Sequence, residues 1–411
     1  MFSIHKVVVI LEINIVKHRI TSELYLIRVE DRSTNFFESL WEIPEGVTYN
    51  SYILFTDKGV VLFDTAKHMF AEQYVEALRE TIDLKDIKYI VTHHLEPDHS
   101  GCIKLVVENS GATVIGHPLA EKMMRSFYKY TGSFKSVRDG EVLDLGSYTL
   151  KFIHVPWLHW PETMVTYIPE KKALISCDVF GSFGIFREVF YDELSLEASN
   201  KYRFFMKKYF ADIIGFYRDW VTKNIEKLLA ITSNLELVLP AHGLCWRGSG
   251  VREALDLYLK WGKGVFEESK ITIVVFSMYG FVEKAVNEML HKLENAGFKI
   301  SLFKFNDRER GLISDLIGEA YDSEYIILAL STYDNDAFPI ARYVAYLMTR
   351  KIPRNKKIIV LSAYGWGSRG GVEVSSILKQ NGFNNIQILD FVAGVHDNAI
   401  DSVMKLLLEN H

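Results

Sequence analysis

Thr92-His93-His94-Leu95-Glu96-Pro97-Asp98-His99-Ser100-Gly101 gathers three histidines and two carboxylates within ten residues. Imidazole nitrogens and carboxylate oxygens are the donors that bind zinc, manganese and non-haem iron, and groups at alternate positions of an extended loop can converge on one ion. Three further islands share this character. Pro156-Trp157-Leu158-His159-Trp160-Pro161, Ile175-Ser176-Cys177-Asp178 and Leu239-Pro240-Ala241-His242-Gly243 each place a metal-binding side chain just after an apolar run. Taken singly, Asp178 reads equally well as a helix cap and His242 as a turn histidine. Four such islands in one chain point to a metal site.

The elements that must position these residues follow from periodicity. The apolar run 87–91 predicts a buried strand leading into the first cluster, and 102–107 predicts a helix with Ser100 as its N-cap. The cluster thus occupies the carboxyl end of a strand, where open α/β folds bind ligands. Strands are expected at 23–29, 46–55, 60–63, 112–116, 140–145, 148–155, 163–168, 173–176 and 235–239, with helices at 69–81, 119–130, 194–229 and 250–266. Residues 36–42 are aromatic and irregular. Strand pairs at both ends, with helices between and outside, suggest a four-layer αββα sandwich. From 269 the texture becomes strictly alternating, with strands at 271–276, 299–305, 325–330, 357–362 and 385–391 and a helix after each. That is a doubly wound, flavodoxin-like parallel sheet. The expected domains are 1–268, with 1–20 as an N-terminal extension, and 269–411.

Composition narrows the class. A length of 411 residues favours two domains over one. A net charge of −5 gives no footprint for nucleic acid or an anionic membrane. The three cysteines, Cys102, Cys177 and Cys245, form no C-x-x-C pair, which excludes a zinc ribbon and a disulfide framework and fits a reducing cytoplasm. Each is expected to be a buried small hydrophobe. The apolar stretch 6–16 is interrupted by Glu12 and Asn14, too short to span a bilayer and lacking a small-residue cleavage site. It reads as an extra strand or an extension.

The first domain resembles the metallo-β-lactamase fold. Hydrolases of that fold carry His-x-His-x-Asp-His, whereas this chain reads His94-x-Glu96-x-Asp98-His99. A glutamate in the second position is the pattern of the flavodiiron proteins, and a flavodoxin-like second domain is their other hallmark. The resemblance covers roughly residues 20–411. It implies two non-haem irons, one held by His94, Glu96 and His159, the other by Asp98, His99 and His242, with Asp178 bridging. Donor chemistry agrees, since a carboxylate–imidazole set with open positions suits non-haem iron and oxygen chemistry, although affinity order alone favours zinc. His93 should point away from the ions by backbone alternation, and His154 reads as a packing residue. Trp157, Trp160, Phe180 and Phe183 flank the islands and read equally well as an apolar wall that keeps the site dry or as ordinary core packing. Tyr209 falls in a stretch resembling a helix that lines the family's iron pocket.

Flavodoxin-like sheets bind FMN at the carboxyl ends of their strands. Three segments are placed there: Ser277-Met278-Tyr279-Gly280-Phe281-Val282 at the start of a helix, Ser331-Thr332-Tyr333-Asp334-Asn335-Asp336, and Ser362-Ala363-Tyr364-Gly365-Trp366-Gly367-Ser368. Helix N-terminal amides after the first strand suit a phosphate, and the aromatics suit an isoalloxazine ring. The family has Asn-Thr where this chain has Phe281-Val282, which removes an amide and a hydroxyl from the phosphate cradle.

The resemblance implies an oxidoreductase that reduces dioxygen to water or nitric oxide to nitrous oxide, with electrons passed through FMN from an external carrier such as rubredoxin. It also implies a head-to-tail homodimer, or a dimer of dimers, that brings the flavin of one subunit to the irons of the other. Two other readings fit parts of the pattern: a zinc-dependent hydrolase with an appended flavodoxin-like domain, and a non-enzymatic electron-transfer or gas-sensing flavoprotein.

Overall fold

The computed structural model describes residues 13–232 and 234–409. The chain divides into two compact units. One runs through Met206 and resumes at Asp219–Leu259; the other comprises Lys207–Arg218 and everything from Lys260. The segment 207–218 therefore folds with the second unit, away from the boundary expected at 268. The reason is local: the expected long helix 194–229 breaks at a π-helical turn, Phe210–Ile214, between helices Leu196–Tyr209 and Arg218–Ile231. Within the second unit, Phe210 packs on Trp261 and Tyr321, and Lys207 pairs with Asp322 at 2.9 Å.

The first unit is built on two sheets. Strands β1 (Ile13–Arg19), β2 (Leu24–Asp31), β3 (Val47–Thr56), β4 (Gly59–Phe63), β5 (Ile87–Thr92), β6 (Thr113–Gly116) and β7 (Phe134–Ser136) form the first, in that order. It is antiparallel through β4 and parallel thereafter. The stretch 6–16 lies mostly outside the described residues; its end belongs to β1. Strands β8 (Val142–Asp144), β9 (Thr149–His154), β10 (Met164–Ile168), β11 (Ala173–Cys177), β12 (Leu237–Pro240) and β13 (Trp246–Arg247) form the second, again in chain order. Only β11 and β12 run parallel in it. One apolar cluster fills the space between the sheets, with Leu24, Leu26, Tyr52, Leu54, Val61, Phe63 and Val91 from one and Leu150, Phe152, Met164, Ile175 and Leu239 from the other. Alternation along each strand sends one face of residues into this layer, and helices such as Ala71–Arg79 and Ile103–Ser110 turn their own apolar faces toward the unit's interior. The αββα arrangement matches the expected one.

The second unit has a parallel sheet of β14 (Glu267–Phe276), β15 (Lys299–Phe305), β16 (Ser323–Tyr333), β17 (Lys357–Tyr364) and β18 (Ile386–Val392), in the spatial order β15-β14-β16-β17-β18. This is the 2-1-3-4-5 order of flavodoxin-like folds. Near-continuous runs such as Ile271–Phe276 are buried because helices cover both faces of such a sheet. Among the described residues no helix is long and apolar enough to cross a membrane.

Two local expectations are corrected. Ser100 does not cap the helix that follows. Residues Pro97–Ser100 are themselves a helical turn with Glu96 at its N-cap, and Ser100 Oγ donates back to the Leu95 and Glu96 carbonyls at 3.0 and 2.8 Å. Pro97 explains this, because its fixed φ and missing N–H favour the first helical position. Residues 36–42 form a small hairpin, Phe36–Phe37 against Trp41–Glu42.

Candidate metal centre and flavin-type loops

His94, Glu96, Asp98 and His99 follow β5; His159 lies in the loop between β9 and β10; Asp178 follows β11 and His242 follows β12. All seven side chains converge at one end of the sandwich. The helical turn at Pro97 matters here, because it rotates Asp98 and His99 into the cage while the Glu96 side chain, making no capping bond, remains available to it.

The seven divide into two groups around Asp178. One Asp178 oxygen, Oδ2, lies 3.6 Å from His94 Nε2 and 3.5 Å from His159 Nε2. The other, Oδ1, lies 2.9 Å from His99 Nε2 and 3.3 Å from His242 Nε2. Glu96 Oε2 completes the first group at 3.0 Å from His159 and 3.3 Å from His94. Asp98 completes the second, 3.4 Å from both His99 and His242. Ligand atoms of His94, His159 and Asp178 lie within 4.8 Å of one another, as do those of Asp98, His99 and His242. The carboxylate oxygens of Asp98 are buried and have no hydrogen-bond donor. Leaving such a group unmatched is costly, and a bound cation would match it. The residues therefore fit a pair of metal ions sharing one carboxylate.

Electrostatics agree. Burial opposes a charge on His94, but the Glu162 and Glu96 hydrogen bonds and the charge of Asp178 push its pKa well above the usual imidazole value. The same balance lifts His242 to about 10, through Asp178 and Asp98. Burial would raise the Asp178 pKa, yet His99, His242 and His94 hold it well below the usual carboxylate range. The cage thus has a strong affinity for positive charge, which protons supply when metal does not. Cys177 Sγ also comes within 4.8 Å of ligand atoms of His99 and Asp178. Burial and the neighbouring carboxylates push its pKa well up, which disfavours the thiolate that binds metal.

A further shell orients the ligands, and the sequence alone did not reveal it. Glu162, fully buried, accepts from His94 Nδ1 at 2.8 Å and from the Leu95 amide at 3.1 Å. The Thr48 carbonyl accepts from His242 Nδ1 at 2.7 Å. Buried Arg28 and Asn50, on strands of the opposite sheet, hold the loop behind His242 through the Gly243 carbonyl at 3.2 and 2.9 Å. A charged or amide side chain inside otherwise apolar strands was the available signal. His93 points away, as alternation predicts: Asp64 holds its Nδ1 at 2.6 Å and Thr166 its Nε2 at 2.7 Å. His154 packs on His117.

The expected aromatic wall is only partly present. Trp160 sets its edge against His94, with ring centroids 4.7 Å apart, and Phe183 supports Phe37, which itself meets His242 edge-on at 5.7 Å. Trp157 turns instead to Trp220, and Phe180 to Tyr258. Tyr209 closes the helix Leu196–Tyr209 and is fully buried.

In the second unit the three flavin-type segments lie at the carboxyl ends of the adjacent strands β14, β16 and β17. Their first residues continue the strands: Ser331, Thr332 and Tyr333 close β16, and Ser362, Ala363 and Tyr364 close β17. Asp334 and Asn335 then make a left-handed turn, and Gly365 and Gly367 flank Trp366 in the last loop. In the first segment the Met278 amide donates to Ser331 Oγ at 3.3 Å, and Gly280, at φ +81°, caps the helix Phe281–Asn295. Val282 is wholly buried in the core and unable to serve a phosphate, whereas Phe281 is half exposed. Ser362 Oγ accepts from the Gly371 amide at 3.2 Å. The hydroxyls of Ser277, Thr332 and Ser368 are buried without a partner. Tyr279 and Trp366 are each 90% exposed in a unit whose other large apolar groups are mostly packed. Unpaired hydroxyls beside exposed rings fit a ligand with a phosphate and a flat aromatic system.

Comparison with known proteins agrees with this geometry. The profile of the ODP family beta lactamase matches residues 47–243. A solved mutant of the flavo di-iron protein from Thermotoga maritima is 30% identical, covers 97% of this chain and 99% of its own, and superposes with a TM-score of 0.88. The rubredoxin oxygen:oxidoreductase of Desulfovibrio gigas is 26% identical over 96% of this chain and 97% of its own, with a TM-score of 0.86. A nitric oxide reductase of Moorella thermoacetica is 28% identical across 86% of this chain and 87% of its own.

Proposed function

The chain belongs to the flavodiiron protein family and is an oxidoreductase, and from that premise we propose that it reduces dioxygen to water or nitric oxide to nitrous oxide at a pair of non-haem irons. Electrons reach them through FMN from a separate small carrier of the rubredoxin kind. The observation that carries this reading is the division of seven donors into two groups around Asp178, with Glu96 where a hydrolase places a histidine. His94, Glu96 and His159 would hold one iron and Asp98, His99 and His242 the other, with Asp178 shared between them. Bound there, two ferrous ions supply the electrons that a diatomic gas accepts, and FMN supplies the one- and two-electron steps that replenish them. The protein's own work is positional. Glu162 and Thr48 fix the tautomers and ring planes of His94 and His242, so that Nε2 of each faces the cage. Trp160 and Phe37 present apolar edges to the ligand rings and exclude water. Ser277 and the amides at the start of Phe281–Asn295 hold the FMN phosphate, with Tyr279, Tyr333 and Trp366 beside the ring.

We propose that the residues up to 268 serve the irons and those from 269 the FMN, although the compact units divide at Lys260, and that the chain assembles as a head-to-tail homodimer, alone or doubled. Steady-state consumption of each gas by anaerobically prepared, iron- and flavin-loaded protein tests the function. Zinc without iron, with hydrolysis that ignores the flavin, would overturn it; an FMN that reduces while neither gas is consumed would favour a sensor.

A further inference from the structure

The hairpin Phe36–Phe37/Trp41–Glu42 is unused so far, yet it sits against the cage. Phe37 meets the His242 ring edge-on, Trp41 is fully buried, and the carboxylate of Glu38, at the tip, lies within 4.8 Å of the ligand atoms of Glu96 and His159. Glu38 is exposed and Glu96 is the least buried of the cage residues, so this is the cage's open side.

The turn that carries Glu38 is unusual for its sequence. Leu40 donates its amide to the Phe37 carbonyl at 3.0 Å, and the two central residues, Glu38 and Ser39, both take positive φ, +50° and +59°. Phe37 pairs with Trp41, so three residues link the strands, and β-turns of this hand favour Asn, Asp or Gly at their central residues because other side chains crowd the backbone there. The chain obeys that preference elsewhere: the hairpin closed by Tyr333 and Asp336 has Asp334 and Asn335 at φ +49° and +58°. At 38–39 it forgoes the favoured residues and puts a glutamate in a strained position beside metal ligands. Backbone strain of this kind concentrates where a side chain has a function.

We propose that Glu38 is an additional carboxylate ligand of the metal position formed by His94, Glu96 and His159, delivered from the open side by the hairpin. This rests on the flavodiiron reading of the cage. It makes the two positions unequal. The first gains a fifth protein donor, Glu38, beside His94, Glu96, His159 and Asp178, whereas the second keeps four, Asp98, His99, His242 and Asp178. The second position is then the more open to an exogenous ligand.

Glu38→Asn suits the test, because asparagine accepts the left-handed turn and replaces the carboxylate with a shorter, neutral amide. Fully reduced, 57Fe-loaded wild type and variant are compared by Mössbauer spectroscopy together with iron counts. The expected result is a shift in the doublet of one iron with the other unchanged, or a fall from two irons to one per chain; Glu38→Asp should move the spectrum back toward wild type. Two irons with a wild-type spectrum in Glu38→Asn would overturn the assignment while leaving the diiron reading intact. A wild type that takes up no iron would defeat that reading itself.

Discussion

Glu162 offers the sharpest test of how the cage is held. It touches no proposed metal position, yet its Oε1 accepts the His94 Nδ1 hydrogen at 2.8 Å and the Leu95 amide at 3.1 Å inside a fully buried pocket. Replacing it by alanine strands both donors. A hydrogen bond to a charged acceptor contributes about 1.5–3 kcal/mol, and about 1.4 kcal/mol is a factor of ten in affinity. The structure therefore implies that Glu162→Ala weakens metal binding roughly ten- to a hundredfold, the range seen when outer-shell partners of metal-bound histidines are removed. Glu162→Gln retains an acceptor oxygen but not the charge, so its loss should fall near the low end, about tenfold. Because Glu162 contacts only His94 among the ligands, one iron should weaken and the other should not. Anaerobic competition of ferrous iron against a chelator series would show a split, two-step release in the variants. Single-step release of both irons within twofold of the wild-type affinity would refute the positioning argument.

The raised histidines set a pH dependence for metal-free protein. Their folded pKa values exceed the unfolded value of about 6.5, so their contribution is fully present below that pH and is lost as pH climbs through the His242 value of about 10. Thermal melting of apo protein should therefore fall between those limits, and the stabilisation from added metal should grow across the same window, since metal competes with protons; a flat apo profile would contradict the charge assignment. Ser277→Ala removes a buried unpaired hydroxyl, and FMN titration should show affinity reduced about tenfold, the equivalent of one hydrogen bond. Gly101→Ala would place a Cβ 2.5 Å from the His68 amide nitrogen and 2.6 Å from the Pro97 carbonyl oxygen. With backbone on both sides, denaturant unfolding should register a loss of about 1–3 kcal/mol.

What the sequence determined by itself is the chemistry and the order of elements. His94, Glu96, Asp98, His99, His159, Asp178 and His242 announce themselves because donor side chains after apolar runs are local patterns, and β-periodicity followed by βα alternation is local too. Tertiary structure decided the rest. Only the packing of two sheets reveals that one Asp178 oxygen faces His94 and His159 while the other faces His99 and His242. Only the folded chain brings Thr48 and Asn50 to the loop of His242, some 190 positions away, or the tip of residues 36–42, which looked merely irregular, to Glu96 and His159. The physical reason is that a donor's identity is written at one position, whereas its orientation depends on hydrogen bonds from strands distant in sequence. The break at Phe210–Ile214 has the same cause: helical spacing continues through it, and the packing of Phe210 on Trp261 and Tyr321 determines where the segment belongs.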